Sequence, residues 1–275
     1  MFVSRRLAWF LGPVGALAGA AVLGAAMLGS TGSAATKPPS GILQDAGAMS
    51  QQAPPGQVGV ADGPVSLRYT FDGGAAKPIT AVNGGHELRA LGQNGGRLSL
   101  VPQGRGLAVE YPRRCHLAHQ RKCPRAILEG DRDDELNPGT RPLSYGASVL
   151  MTHADLANGA NVLQKGYSVG GVSQFKLQVD HKRGHPSCVI AGQRAEIYRA
   201  ESSIDVADGA WHNLACTRTP DRLTMTVDGI ERLWVRIPPK LSIANTEPLR
   251  VGGKGPNKGN DQFAGLIDNV YLTIS

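Results

Sequence analysis

Aromatic residues are scarce in this chain, at 5% of 275 residues, and charged residues make up only 19%. Beyond the first 35 residues no apolar pattern holds a helical period for more than a turn or two, which argues against a helical protein. The His-Glu-x-x-His string of zinc proteases is missing. So are basic helices and basic strands interleaved with aromatics, which excludes the usual nucleic-acid-binding patterns. The positive charges are scattered, apart from a cluster at residues 113–125. What the chain has in quantity is turn chemistry, with 36 glycines and 18 prolines. That balance suits many short strands joined by tight turns, and the length allows one large all-β domain.

Residues 1–6 carry Arg5 and Arg6, residues 7–28 are apolar and rich in Ala and Gly, and residues 29–35 are small. This is the three-part layout of a secretory signal peptide, with cleavage expected after Ala34 or Ala35. An uncleaved anchor is the alternative, because the apolar stretch is long enough to span a bilayer; Pro13 and the many glycines disfavour it. Residues 1–35 hold no acidic side chain, so cleavage removes two arginines and takes the formal charge from +7 to +5. Residues 36–63, rich in Pro, Gly, Ala, Gln and Ser, read as a flexible linker. The folded domain is expected at 64–275.

From residue 64 the texture becomes short alternating runs broken by turns. Val65, Leu67, Tyr69 and Phe71 share one face of a first strand. Further strands are expected at 147–151, 161–164, 175–179, 187–191 and 196–198. In 175–179 the side chains of Phe175, Leu177 and Val179 oppose those of Lys176, Gln178 and Asp180. Residues 211–218 and 223–227 form the clearest hairpin, turned at Pro220-Asp221. The turn Asp228-Gly229 leads into 230–235, and 249–251 and 265–274 end the series. Strands at this spacing without helices between them predict a sandwich of antiparallel sheets.

The run Asp208-Gly209-Ala210-Trp211-His212-Asn213-Leu214-Ala215-Cys216, followed by Leu223-Thr224-Met225-Thr226-Val227-Asp228-Gly229, resembles the central signature of laminin G-like domains. The run from Phe263 to Leu272 is similar to that family's last strand, and Tyr69-Thr70-Phe71-Asp72 to its first. The resemblance covers about residues 64–275, with Asn137-Pro138-Gly139-Thr140-Arg141 and the run from Asn161 to Gly166 similar to its secreted bacterial branch. It implies an all-β antiparallel sandwich, a jelly roll of the concanavalin A-like lectin type. Such folds host lectins, hydrolases and spacers alike, so function rests on the site.

Four cysteines in an exported chain imply disulfides, with three pairings open. The pairing expected is Cys115–Cys123, closing a short basic loop, and Cys188–Cys216, stapling 187–191 to 211–218. A zinc set of Cys115, His116, His119 and Cys123 is disfavoured by its irregular spacing and by an oxidising compartment. The string from Glu129 to Glu135 contains Glu-x-Asp-x-x-x-Glu. Read as a catalytic strand, it would make Glu129 and Glu135 the carboxylate pair of a glycoside hydrolase; read plainly, it is a solvated acidic loop.

Alternation places Asp268 with Leu266, Val270 and Leu272, so its charge needs hydrogen bonds or a cation. The resemblance implies calcium as that cation, with Asp72 as companion if the first and last strands pair. The alternative is that both acids cap turns through backbone N–H groups. For ligand contact the candidates are Tyr145, Gln164, Lys165, Tyr167 and Trp234, with the basic loop at 113–125: aromatic faces stack on sugars, and Arg and Lys recognise acidic groups. His212 is expected in the strand framework, and His181 and His185 in an exposed turn. The leading expectation is a secreted, non-enzymatic recognition or adhesion module for extracellular carbohydrate or another surface ligand, with no nucleic-acid partner and no membrane span after cleavage. The alternatives are a hydrolase using Glu129 and Glu135, and a structural surface domain without a small ligand.

Overall fold

The computed structural model describes residues 40–43, 58–75, 78–156, 159–180, 182–194 and 196–275, all within a unit spanning Lys37–Ser275. The expected signal peptide and His181 lie outside the described residues. The described strands are β1 (Gly41–Ile42), β2 (Val65–Tyr69), β3 (Arg89–Gln93), β4 (Ser99–Gln103), β5 (Gly106–Tyr111), β6 (Arg125–Glu129), β7 (Leu143–Thr152) and β8 (Ala160–Gly166). They continue as β9 (Gln174–Val179), β10 (Pro186–Ala191), β11 (Ile197–Glu201), β12 (Asp208–Arg218), β13 (Arg222–Val227), β14 (Ile230–Arg236), β15 (Leu249–Val251) and β16 (Gly265–Ile274). Three single 3-10 turns, at Gln120–Lys122, Asp134–Leu136 and His153–Asp155, are the helical content of the described residues. None is long or apolar enough to cross a membrane.

Two antiparallel sheets face each other. The nine-stranded sheet runs β1-β4-β5-β16-β7-β12-β13-β14, with β2 also pairing β16; the seven-stranded sheet runs β11-β10-β9-β8-β15-β6-β3. Period-two alternation sends one side of each strand inward. Val149 and Met151 of β7, Leu214 and Cys216 of β12, and Val270, Leu272 and Ile274 of β16 meet Phe175, Leu177 and Val179 of β9 and Cys188 and Ile190 of β10 in one core. Cys188–Cys216 crosses from β10 to β12 and so links the two sheets through that core; Cys115–Cys123 closes the loop before β6.

Three expectations change. Parts of the segment read as linker pack on the sandwich: β1 pairs with β4, and Ala61 is buried with its N–H on the Asn137 carbonyl. Their apolar side chains, Leu43 and Ala61, supply the burial that a Pro/Gly-rich composition concealed. Glu129 is not in a loop but ends strand β6, whose pairing with β3 and β15 continues through it. Asp268 does not share the core face. A bulge shifts the register of β16 between Asp268 and Tyr271, and Asn269 takes a left-handed φ of 49°. The extra residue turns Ile267 inward and Asp268 outward before Val270 resumes the core side.

Candidate functional site

The outer face of the seven-stranded sheet is polar and carries Arg89, Arg250, Lys176 and Arg199. Register pairs place Arg89, Glu129, Arg250, Gln164, Lys176, Val189 and Arg199 in one row across all seven strands. A second row sets Asn161, Gln178, Ser187 and Glu201 side by side. Cross-strand partners stand about 5 Å apart on a common face, so the two rows form a floor.

Arg250 organises one half of it. Its guanidinium donates from Nε to Glu129 (2.5 Å), and from Nη1 to Glu247 (3.0 Å) and to the Tyr167 hydroxyl (2.8 Å). The ring of Tyr167 lies 5.4 Å from that guanidinium, and its hydroxyl donates to the Lys254 carbonyl at 2.9 Å. Gln164 is fixed beside Arg250, accepting from Asn161 Nδ2 and donating to the Gly166 carbonyl, both at 2.6 Å.

Lys176 occupies the other half. Burial lowers its pKa to about 8, against the opposing pull of Asp261 and with the help of Lys254 and Arg199. Lys254 is paired with Asp261 at 2.9 Å, and Arg199 with Glu201. No carboxylate lies in ion-pair range of Lys176 among the described residues. In the second row, the buried Asn161 Oδ1 and Ser187 Oγ, on either side of Gln178, have no hydrogen-bond partner. A desolvated ammonium and orphaned polar atoms on one face are each destabilising, and both are relieved by a ligand that accepts and donates hydrogen bonds.

The expected ligand residues separate. Gln164 and Tyr167 stand on this face, both tied to Arg250's neighbourhood. Lys165, one residue from Gln164, points the other way: its ammonium is buried at the end of the core and donates to the carbonyls of Asn245 (3.1 Å) and Glu247 (2.7 Å). Burial lowers its pKa to about 8 as well. Tyr145 is wholly buried between the sheets against Phe175, its hydroxyl donating to the Lys176 carbonyl at 3.2 Å. Trp234 is 49% exposed on β14, the edge of the other sheet, with the Arg222 guanidinium 4.7 Å from its ring centre. Lys176, Gln178 and Arg250 were not among the candidates. The opposed faces of β9 already set Lys176 and Gln178 apart from the core residues, and that alternation was the available signal.

Glu129 and Glu135 are not presented as a pair. Glu129 is bound to Arg250, while Glu135 is exposed in the 3-10 turn, its N–H donating to Asp133 Oδ1 at 2.9 Å. The acidic run instead lines a cleft of about 240 Å³ with Tyr69, His86 and Leu88, in which His86 Nδ1 lies 2.5 Å from Asp133 Oδ2. That volume falls below the range of pockets that enclose small ligands. Residues 166–170 spell Gly-x-Ser-x-Gly, but Ser168 lies in the connection from β8 to β9 rather than at a strand-to-helix elbow.

Asp72 and Asp268 lie close enough for the charge of one to act on the other. Burial first, and Asp72 in addition, push Asp268 up to about 6. Each already accepts a backbone N–H: Asp72 from Leu107 at 2.8 Å, Asp268 from Asn269 at 2.6 Å. The second oxygen of Asp268 accepts from Asn269 Nδ2 at 2.9 Å, so a calcium ion shared with Asp72 has to displace that amide.

A family profile described as the concanavalin A-like lectin/glucanases superfamily, of the laminin G type, matches residues 133–273. No curated protein matches the chain. Among solved structures, domain 4 of AbnA, a GH43 extracellular arabinanase from Geobacillus stearothermophilus in complex with arabinotriose, is similar at 13% identity and a TM-score of 0.56, covering 76% of this chain and 91% of that one. The binding domain of Paraclostridial Mosquitocidal Protein 1 is similar at 10% identity and a TM-score of 0.55, covering 75% of this chain and 48% of that one. The binding domain of botulinum neurotoxin DC in complex with SialylT follows at 10% identity and a TM-score of 0.53, covering 77% and 47%. The chain thus spans about half the length of the toxin binding domains it matches. At these identities the likeness is one of fold.

Proposed function

This chain belongs to the concanavalin A-like lectin/glucanases superfamily, and on that premise we propose that it is a secreted, non-enzymatic recognition module whose outer seven-stranded face binds extracellular carbohydrate. The observation that carries the proposal is Lys176, an ammonium held in the middle of that face with its pKa lowered by burial and no ion-pair partner among the described residues. Amides at Gln164 and Gln178 suit sugar hydroxyls, Tyr167 offers an aromatic flank, and the cations favour sugars with acidic substituents. The described neighbours include an arabinotriose-bound domain and a SialylT-bound one, which supports a glycan as ligand. Two disulfides are compatible with an oxidising, extracellular compartment.

Binding is favoured over hydrolysis because Glu129 is held by Arg250 rather than left to attack a sugar. Calcium at Asp72 and Asp268 is a second element of the proposal, supplying charge neutralisation at the end of β2 and in the β16 bulge. The test is a screen of the oxidised protein against polysaccharides and cell-wall fractions, in calcium and then in EDTA. Saturable binding without turnover is expected, and binding to no fraction contradicts the proposal. A calcium-dependent rise in Tm that disappears in Asp268→Asn is expected if the ion is held there; an equal rise in that variant removes calcium from this site.

A further inference from the structure

Asp180, His185 and Glu201 converge at one end of the seven-stranded sheet, where the second row of the outer face ends at Glu201. Asp180 follows β9, His185 precedes β10 and Glu201 closes β11. Alternation from Gln178 to Asp180, and from Ser187 back to His185, keeps all three on the outer face, since Ser187 pairs in register with both Gln178 and Glu201. His185 Nδ1 lies 3.9 Å from Asp180 Oδ2 and 3.9 Å from Glu201 Oε1. One ligand atom from each residue falls within 4.8 Å of the other two.

A separation of 3.9 Å is too long for a hydrogen bond. Two donors each roughly 2.0–2.2 Å from a tetrahedral ion stand about 3.3–3.6 Å apart, so small side-chain rotations from this separation bring both onto one cation. The carboxylates are oriented by their other oxygens. Asp180 Oδ1 accepts from the backbone N–H of Lys182 (2.8 Å) and of Arg183 (2.7 Å), and Glu201 Oε2 is paired with Arg199. Asp180 Oδ2 and Glu201 Oε1 are therefore the oxygens turned toward the imidazole. An independent observation lies alongside: Ser187, in register with Glu201 on the same face, is fully buried, and its Oγ has no hydrogen-bond partner.

We propose that Asp180, His185 and Glu201 bind a zinc ion. The imidazole nitrogen selects a borderline transition ion over calcium or magnesium, and two carboxylates balance its charge. Three protein ligands leave a fourth position for water or for a ligand hydroxyl arriving over the neighbouring floor. The site joins the ends of three adjacent strands, so the ion stabilises the folded state by mass action. This proposal does not depend on the carbohydrate reading.

The test is calorimetric titration of the full oxidised chain with zinc chloride, with Tm followed in parallel. One equivalent bound and a raised Tm are expected. His185→Gln and, separately, Glu201→Gln should each weaken zinc binding by at least about tenfold, while both keep the wild-type circular dichroism in the absence of metal. His212→Gln, which alters a histidine between two aspartates elsewhere, should leave zinc affinity unchanged. Absence of zinc binding by the wild type, full affinity in both His185→Gln and Glu201→Gln, or loss of binding on His212→Gln overturns the proposal.

Discussion

His212 shows how one residue type at one position holds a turn in place. Its Nδ1 lies 2.8 Å from Asp228 and its Nε2 3.1 Å from Asp208, and Asp228 also accepts the Asn213 N–H at 2.8 Å. Burial opposes the imidazolium, but the hydrogen bonds and charges of Asp228 and Asp208 outweigh it and raise the His212 pKa above its usual value. The folded state therefore holds that proton more tightly than the unfolded chain. The stabilisation is complete below the unfolded pKa and is lost as pH rises through the folded one. His212→Gln should cost about 1 kcal/mol at pH 5.5, after allowance for solvent screening, and less above pH 8. Urea melts at the two pH values check this, and a cost that grows with pH contradicts it. The Trp-His and Asp-Gly strings were legible as a signature, yet their joint purpose was not, because the contact spans 16 residues and a hairpin. Lys165 and Gln164 show the opposite case: both read as ligand candidates from composition, and only the strand register separates the inward lysine from the outward glutamine.

At the level of elements, strands with clean alternation were legible, and β15 and β16 fall at the residues expected. Those hidden from the sequence, β3 to β6, have physical reasons for it. β6 begins at Arg125 and ends at Glu129, between a basic and an acidic run, so charge masks a strand whose middle is Ala-Ile-Leu. The bulge in β16 was equally hidden, since strict period-two counting cannot register an added residue. Cys188–Cys216 was legible from the strands it joins, and Cys115–Cys123 from the short basic loop it closes. Cys188–Cys216 closes a separation of 28 residues across the core, and Cys115–Cys123 one of 8 at the surface. Loop-closure entropy scales with that length, so replacing Cys188 and Cys216 by Ala should lower stability by roughly 3–4 kcal/mol, against roughly 2–3 kcal/mol for Cys115 and Cys123. Equilibrium denaturation of the two double variants tests the order, and a larger loss for the surface loop would reverse it.

For the whole molecule, the two outer faces are chemically unlike. The nine-stranded sheet ends on β14, where Ile230, Leu233 and Trp234 are exposed, while the seven-stranded sheet gathers cations and amides around Lys176. A half-buried ammonium of lowered pKa makes the folded state bind fewer protons than the unfolded chain between about pH 8 and 10.5, so stability should rise with pH over that window. Lys176→Met removes the desolvated charge; at pH 7 it should stabilise the fold by about 1–2 kcal/mol while removing the group that a glycan engages. The most direct measurement is therefore a side-by-side titration of wild type, Lys176→Met and Trp234→Ala with a polysaccharide that the wild type binds. Loss of binding in Lys176→Met, with Trp234→Ala unchanged, is the result expected. Retained affinity in Lys176→Met, with loss in Trp234→Ala, would place recognition on the other sheet and contradict the account.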